Sequence, residues 1–273
     1  MNAESKPEST SNTSANECSI SVDELVARLE NARQNVSSSE VMIALDADGT
    51  CWSGDVGNDL FLALVQAHAV KRAGHAALVR EAQEFGIAYS DDPTDTARAL
   101  FEAHEAGKYP EDRCFAMMAW VFAGMSLPEA VDFSTGVIKE SKLEERLHRF
   151  LDPVFGWARE ENVAIWIVSA SPKWMVQLGM ALFGIPSDHV IGMTPVIDDG
   201  IIQPKLEGLP IYGPNKPVAL RQTCPNANLL GGFGDSSYDV ALLQMAHVPV
   251  AVRPKPSLLA RAHELRNLAI IGV

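Results

Sequence analysis

Short, uninterrupted apolar runs recur along the chain and are bounded by polar residues. The clearest are residues 41–45 (VMIAL), 163–168 (VAIWIV), 228–230 (leading into GGFGD), 248–252 (VPVAV) and 269–273. Such runs are typical of strands that are buried on both faces of a parallel sheet. Helical patterns separate several of them, at residues 174–183, 217–222, 239–247 and 257–265. This alternation predicts an α/β fold with a doubly wound, mainly parallel sheet.

The segment between the first two apolar runs has a different pattern. From residue 56 to about residue 149 the apolar positions recur at helical spacing, for example at Phe61, Leu64 and Val65, and no clear strand interrupts them. We therefore expect a helical cap domain, residues 56–149, inserted into an α/β core that consists of residues 21–55 and 150–273.

The first 20 residues are rich in Ser, Asn and Glu and nearly free of large apolar side chains, so we expect a disordered tail. Ser21 follows, and Glu24 stands three residues later, which is typical of the first turn of a helix. We expect this helix to end near Asn35. The tail lacks the basic and apolar regions of a secretory signal, and no apolar run in the sequence is long enough to cross a bilayer.

The chain is acidic, with 22 Lys and Arg against 35 Asp and Glu and a formal net charge of −13. A field of this sign repels polyanions, so neither nucleic acid nor an anionic membrane surface is expected as a partner. The 4 cysteines show no CxxC or zinc-ligand spacing and are typical of a reducing compartment. We expect a cytoplasmic protein, and the sequence leaves the oligomeric state open.

Polar side chains follow three of the predicted strands, at the edge of the sheet where ligands of α/β proteins bind. Asp46 and Asp48 follow the first strand, Ser169 follows the second, and Asp235 follows the third. Lys216 precedes the helix that leads into the third strand. Because the carboxyl ends of parallel strands share one edge, we expect these side chains to converge.

This set of residues suits phosphoryl transfer, which depends on positioning and charge neutralisation. Asp46 can attack phosphorus if a hard cation offsets its charge, and Asp235 can complete a Mg²⁺ site of oxygen ligands. Asp48 can protonate the leaving oxygen and then deprotonate the attacking water. Lys216 can neutralise phosphate, and the Ser169 hydroxyl can hold a transferring oxygen.

Four segments resemble, in order and spacing, the motifs of the haloacid dehalogenase superfamily. They are DADGT (residues 46–50), SAS (169–171), Lys216 and GDSSYD (234–239). The resemblance extends from residue 41 to the C-terminus. The helices after the first motif resemble the phosphoserine phosphatase-like branch, which includes phosphocholine phosphatases and carries a helical C1-type cap on a Rossmann-like core.

The resemblance implies a catalytic and a metal-binding role for the acidic motif residues. Asp46 becomes the nucleophile and Asp48 the general acid and base, and a second Asp at this position argues against dehalogenation. Mg²⁺ is then bound by the side chains of Asp46 and Asp235 and by the backbone carbonyl of Asp48. Asp239 becomes a carboxylate that supports these ligands.

The remaining motif residues are expected to bind the phosphoryl group. The resemblance makes Ser169 and Lys216 phosphate ligands, and we expect Thr50 and Ala170 to contribute to the same site. Lys205 also precedes the third strand, but we expect it to be an exposed surface lysine.

Two residues near the first motif bear on the substrate. Asp55 lies nine positions after Asp46, near the place where a glutamate of phosphoserine phosphatases binds the substrate amine, although a helix N-cap fits it as well. Trp52 could stack on a cation, but we expect it to pack. Ser171 is expected to cap the helix after Pro172. The core of the cap is expected to contain Met117, Met118 and Met125.

These features predict a Mg²⁺-dependent phosphomonoester hydrolase that acts on a small phosphorylated metabolite through an aspartyl phosphate. An amine-bearing substrate such as phosphoserine or phosphocholine is a further expectation. Three alternatives stay open: a phosphotransferase that passes the phosphoryl group to an alcohol, a regulator phosphorylated on Asp46, and a binding module without catalysis. Receiver-type regulators lack a helical insert after their Asp and do not need Asp48.

Overall fold

A sheet of parallel strands forms the centre of the molecule. The structure, a computed structural model, describes residues 19–37 and 40–273. The strands in these ranges are β1 (Val41–Leu45), β2 (Ala164–Pro172), β3 (Val190–Met193), β4 (Pro195–Asp198), β5 (Ile201–Leu206), β6 (Asn228–Gly234), β7 (Val248–Val252) and β8 (Ala269–Ile271). Six of them form one sheet in the order β3-β2-β1-β6-β7-β8, and every neighbouring pair is parallel. The predicted mainly parallel sheet is confirmed.

Helices connect the strands. In chain order the described residues form α1 (Val22–Gln34), α2 (Val56–Gln66), α3 (His75–Glu84), α4 (Pro93–Glu105), α5 (Glu111–Trp120), α6 (Leu127–Glu140), α7 (Leu143–Arg146), α8 (Asp152–Glu160), α9 (Lys173–Ala181), α10 (Asn215–Thr223), α11 (Val240–Gln244) and α12 (Pro256–Leu259). None of these described helices is long and apolar enough to span a bilayer. The last helix is shorter than its apolar pattern predicts, because the chain turns at Ala260 and continues as a short 3₁₀ turn at Ala262–Glu264.

The central strand β1 is buried on both faces, which explains its unbroken apolar sequence. Ile43 and Leu45 belong to a core that includes residues of α1 and α8, whereas Met42 and Ala44 pack with residues of α10 and α11. Helices therefore cover both faces of the sheet, as the doubly wound fold requires.

The N-terminal helix begins where its capping residue predicts. The Ser21 hydroxyl accepts a hydrogen bond of 3.1 Å from the Glu24 amide, and α1 ends before Asn35. Ser19 pairs with Ile270 of β8, and the Ile20 amide donates to the Ile270 carbonyl. These two residues therefore contact the sheet, and residues 1–18 of the predicted tail lie outside the described residues.

The predicted helical insert lies between β1 and β2. It contains α2 to α7, and no strand interrupts these helices in the described residues. Helix α6 begins with a complete capping box between Ser126 and Glu129. Two short connections join the insert to the sheet, and they pair with each other, because the Ser53 amide donates to the Arg146 carbonyl and the His148 amide donates to the Cys51 carbonyl.

The apolar runs in the sequence do not predict strands β3, β4 and β5. β4 and β5 form an antiparallel hairpin whose turn is Asp199-Gly200, and both turn residues have positive φ angles of 47° and 77°. This dipeptide is typical of a two-residue hairpin turn. The hairpin also bonds to the insert, since the Ile202 amide donates to the Met125 carbonyl over 2.8 Å.

Candidate active site

The polar residues at the strand ends surround one cavity of about 140 Å³. Asp46 follows β1, Ser169 and Ala170 lie near the end of β2, and Asp235 follows β6, so the parallel register brings them to the same edge of the sheet. The lining residues are Asp46, Asp48, Asp55, Phe115, Met118, Ser169, Ala170, Ser171, Pro172, Tyr212, Lys216, Asp235, Ser236, Tyr238 and Lys255.

Lys216 is a buried cation between two carboxylates. It is 3% exposed, and its Nζ lies 2.6 Å from Oδ1 of Asp46 and 2.6 Å from Oδ1 of Asp239. Burial alone would lower the pKa of Lys216, but the two carboxylates outweigh this effect and hold the pKa above its usual value. Lys216 therefore stays charged. Its rival Lys205 lies on β5 and is exposed.

Asp239 stabilises the conformation of the loop after β6. Its Oδ2 accepts hydrogen bonds of 3.1 Å from the amides of Asp235 and Ser236 and from the Ser236 hydroxyl. Gly234 permits this fold, because a Cβ at that position would lie 2.3 Å from the Cβ of Asp239. Both oxygens of Asp239 are thus occupied by protein donors, and the residue orients Lys216 and Asp235.

Asp48 is oriented by three donors. Its Oδ1 accepts hydrogen bonds from the Trp52 indole over 2.8 Å and from the Val56 amide over 2.7 Å, and its Oδ2 accepts one from the Ser171 hydroxyl over 2.7 Å. Trp52 is fully buried and packs, as expected, but its indole N–H is also used to hold Asp48.

One sequence-based assignment near this cavity needs correction. Ser171 does not cap α9, because Pro172 is the N-cap residue and the Ser171 hydroxyl faces Asp48 instead. Thr50 is fully buried and is absent from the cavity lining, and its carbonyl lies 2.8 Å from Nδ1 of His148. Its hydroxyl has no hydrogen-bond partner among the described residues, so the role of Thr50 in the site stays a prediction.

The carboxylates at the edge of the sheet fit a hard divalent cation. Carboxylate oxygens of Asp46, Asp235 and Asp239 lie within 4.8 Å of one another. Asp239 is occupied by Lys216 and backbone amides, so Asp46 and Asp235 are the side chains that could bind a metal ion. An all-oxygen donor set without His or Cys suits Mg²⁺.

The electrostatics of Asp46 favour the same conclusion. Burial raises its pKa well above the usual value, Lys216 opposes this rise, and the charges of Asp239 and Asp235 add to it. A further cation beside Asp46 would favour its ionised form, which nucleophilic attack requires. Lys255, 2.9 Å from Oδ2 of Asp235, supplies part of that positive charge.

Asp55 caps a helix and also lies on the wall of the cavity. Its Oδ1 accepts a 2.8 Å hydrogen bond from the Asn58 amide and caps α2, and the residue also lines the cavity. Burial, followed by the charge of Asp48, raises the pKa of Asp55 to about 7. A residue that caps α2 and also lines a polar cavity can contact a ligand in that cavity.

Four of the residues that line the cavity have no site role in the sequence analysis. Phe115 and Met118 of α5 line it, together with Tyr212 and Tyr238 of the core. Met118 also packs in the hydrophobic core, as Met117 and Met125 do, so the expected core positions of these methionines are confirmed.

The local sequence around Lys255 does not mark it as a site residue, apart from its position after β7. That position follows the carboxyl end of a strand next to β6, which is where parallel topology delivers functional side chains.

Several solved structures have a similar fold. A protein of unknown function from Bordetella pertussis Tohama I is 21% identical, with a TM-score of 0.65 over 86% of this chain and 99% of the other. A functionally unknown protein from Anaerococcus prevotii DSM 20548 is 14% identical, with a TM-score of 0.66 over 88% of each chain. A substrate-bound phosphoserine phosphatase is 12% identical, with a TM-score of 0.50 over 85% of this chain and 94% of the other. At these identities the likeness concerns the fold.

The amino-acid sequence itself matches a known family. No curated protein matches the chain. The family model of haloacid dehalogenase-like hydrolases matches residues 43–244, a range that begins in β1, ends with α11 and includes every acidic residue of the cavity. The chain therefore belongs to the haloacid dehalogenase-like hydrolase family.

Proposed function

We propose that the protein is a Mg²⁺-dependent phosphomonoester hydrolase that works through an aspartyl phosphate at Asp46. The observation that carries this proposal is the arrangement of Asp46. Lys216 binds its Oδ1, and its Oδ2 has no hydrogen bond to any of the described residues. One oxygen is thus held by a buried cation while the other is available for attack.

Asp46 and Asp48 divide the reaction between them. An Oδ atom of Asp46 attacks phosphorus, the bond between phosphorus and the ester oxygen breaks, and Asp48 donates a proton to the departing oxygen. Asp48 then accepts a proton from water, whose oxygen attacks the phosphorus of the aspartyl phosphate and releases inorganic phosphate and Asp46. The donors to Asp48 from Trp52, Val56 and Ser171 fix the carboxyl group in place for both steps.

The remaining polar groups stabilise charge. Lys216 and the Ser169 hydroxyl are placed to bind the transferring oxygens. Mg²⁺, when bound by Asp46 and Asp235, would supply positive charge beside the phosphoryl group. We also propose that the backbone carbonyl of Asp48 contributes to this site.

The insert acts as a cap in this proposal. Phe115 and Met118 of α5 form part of the cavity wall, and the cavity measures about 140 Å³. A covered space of this size accepts a small metabolite and excludes a folded protein or a nucleic acid strand.

The substrate class follows from Asp55. A carboxylate on the wall beyond the phosphoryl site favours a cationic group over an anionic one. We therefore propose amine or quaternary-ammonium phosphates, such as phosphoserine, phosphoethanolamine or phosphocholine, as the substrate class. One structure of similar fold is a phosphoserine phosphatase.

A screen of small phosphate esters in the presence of Mg²⁺ tests this function. We expect phosphate release that Asp46→Asn abolishes without unfolding the protein, because the substitution keeps the size of the side chain and removes its charge. Among esters of similar size, kcat/KM for amine phosphates should exceed kcat/KM for sugar phosphates. Near-normal turnover by Asp46→Asn would contradict the mechanism, and sugar phosphates that lead the panel would contradict the substrate class.

A further inference from the structure

One carboxylate of the insert binds two core tyrosines that line the cavity. Glu111 is the first residue of α5, and its Oε2 accepts a 2.6 Å hydrogen bond from the Tyr212 hydroxyl. Its Oε1 accepts a short hydrogen bond from the Tyr238 hydroxyl. The two rings lie side by side, with centroids 4.8 Å apart. Each carboxylate oxygen thus contacts a different segment of the core.

The two tyrosines belong to the segments that position the phosphate-binding lysine. Tyr212 lies four residues before Lys216, and its carbonyl accepts the amide of Asn215 at the start of α10. Tyr238 immediately precedes Asp239, which binds Lys216 directly. A shift of either tyrosine would therefore also shift Lys216 or Asp239, and Lys216 binds Asp46.

Helix α5 presents one face to the cavity. Glu111, Phe115 and Met118 follow the spacing i, i+4, i+7, and both Phe115 and Met118 line the cavity. Phe115 also packs against the Tyr212 ring, with centroids 5.6 Å apart. Contact between Glu111 and the tyrosines consequently fixes the part of the insert that closes the substrate space.

The tyrosines stay protonated donors over the working pH range. Burial, and then the hydrogen bond to Glu111, raises the pKa of Tyr238 to about 12 and that of Tyr212 above its usual value. Hydrogen bonds from hydroxyls to a carboxylate are among the stronger ones in proteins.

We propose that Glu111 is a positioning residue that clamps the insert onto the core through Tyr212 and Tyr238, and so couples closure of the cavity to the placement of Lys216. The expected effect of this clamp on kcat/KM rests on the proposed function. The clamp itself is a contact between insert and core, and it can be measured without any reaction.

Hydrogen exchange and kinetics on the full chain test the clamp. Glu111→Ala should speed amide exchange in the core segments 210–216 and 236–240 and lower kcat/KM by about 100-fold, with part of the loss in kcat. Glu111→Gln, which keeps one acceptor oxygen, should lose less. Tyr212→Phe and Tyr238→Phe should each lose about tenfold, and Glu111→Ala should add less than about threefold in the double Phe background, because residues that act as a unit are not additive.

Glu81 provides a matched control. Its carboxylate binds the Tyr109 hydroxyl over 2.8 Å and Arg113 over 2.6 Å, entirely within the insert. Glu81→Gln should therefore leave exchange in the two core segments at the wild-type rate. Unchanged exchange in Glu111→Ala, full additivity with the tyrosine substitutions, or a rise in KM alone would overturn the clamp. If the wild-type protein hydrolyses no phosphate ester but Glu111→Ala still speeds exchange in the two core segments, the clamp stands and the proposed function is wrong.

Discussion

The environment of Asp46 is determined by Lys216 and by Asp239, the second carboxylate that this lysine binds. The lysine is buried and binds one oxygen of Asp46 and one of Asp239, so its position is fixed from two sides. Asp239 is fixed in turn by two amides and a hydroxyl. A buried ion pair of this kind contributes to stability only when its remaining hydrogen bonds are made. In the proposed mechanism, this ion pair would hold Lys216 in position to bind a phosphoryl group.

The proposed acid and base role of Asp48 gives the first prediction. Asp48→Asn keeps one acceptor oxygen but cannot transfer a proton, so both half reactions should slow by about 10²–10⁴-fold. Aryl phosphates with good leaving groups need less protonation, and their first half reaction should slow less. Pre-steady-state release of the aryl alcohol measures this difference. Equal losses for good and poor leaving groups would count against Asp48 as the acid.

Asp55 gives a prediction about stability and pH. Its folded-state pKa of about 7 lies above the ordinary value of 3.8, so the charged form is penalised in the folded protein. The penalty is absent below pH 4, grows between pH 4 and 7, and is complete above pH 7.

Asp55→Asn removes that penalty and keeps a residue type that caps helices well. A shift of this size corresponds to about 4 kcal/mol, and solvent screening at the half-buried side chain reduces the expected gain to about 2 kcal/mol. Urea unfolding should therefore show a more stable variant at pH 8 and equal stabilities at pH 4. Equal stabilities at both values would place the pKa of Asp55 near its ordinary value.

Among the segments that connect strands and helices, the loop from β1 to α2 contributes three carboxylates to the cavity. It presents Asp46, Asp48 and Asp55 within ten residues, and it turns sharply at Gly49, whose φ is 78°. A Cβ at Gly49 would lie 2.0 Å from Oδ2 of Asp235. The backbone of this loop and the carboxylate after β6 are thus in close contact.

Substitution of Gly49 tests that contact. Gly49→Ala places a methyl group against Asp235 in a backbone conformation that favours glycine, so Asp235 must move. We expect activity to fall at least about 100-fold and the Mg²⁺ concentration for half-maximal activity to rise. Gly86→Ala is a suitable control, since Gly86 also has a positive φ, of 66°, but nothing lies within 4 Å of its Cβ position. Wild-type Mg²⁺ dependence in Gly49→Ala would show that Asp235 does not bind the metal.

The sequence predicts the elements whose environment is uniform. Strand β1 is buried on both faces and reads as a continuous apolar run, and α1 begins at a recognisable cap. The hairpin β4–β5 is short and partly exposed, so its apolar positions do not form such a run, although Asp199-Gly200 marks its turn. Local pattern therefore identifies the core of the sheet better than its periphery.

The same limit applies to the site. Residues at strand ends, such as Asp46 and Asp235, follow from topology. Ser171 binds Asp48 across 123 positions of the chain, and Glu111 binds Tyr238 across 127. The first pair joins two segments of the core and the second joins the insert to the core, so both depend on tertiary packing that no local spacing in the sequence predicts.

The whole molecule places a cavity lined by carboxylates and lysines in an acidic chain. With a net charge of −13, the protein repels a phosphate ester at long range, and Lys216, Lys255 and a bound metal ion would offset the four carboxylates that line the cavity. Phe115 and Met118 of the insert form the wall of that cavity together with residues at the edge of the sheet. Charge and closure together favour a small substrate.

Metal dependence is the prediction at this scale. Thorough chelation with EDTA should stop phosphate release, and Mg²⁺ should restore it, because burial and the neighbouring carboxylates raise the pKa of Asp46 and a bound cation would favour its ionised form. Excess Ca²⁺ should inhibit, since it binds oxygen ligands with longer and looser geometry. Steady-state rates after dialysis measure both effects. Full activity after chelation would remove the metal from the mechanism.

Trapping the phosphorylated residue tests the role of Asp46 most directly. The enzyme is quenched in acid during steady-state turnover of a good substrate and reduced with borohydride, which converts an acyl phosphate to an alcohol and hence a phosphorylated Asp to homoserine. Peptide mass spectrometry should find homoserine at position 46 in this sample and unchanged Asp46 in a sample quenched without substrate. Unmodified Asp46 during rapid turnover, or homoserine at another position, would contradict an aspartyl phosphate at Asp46.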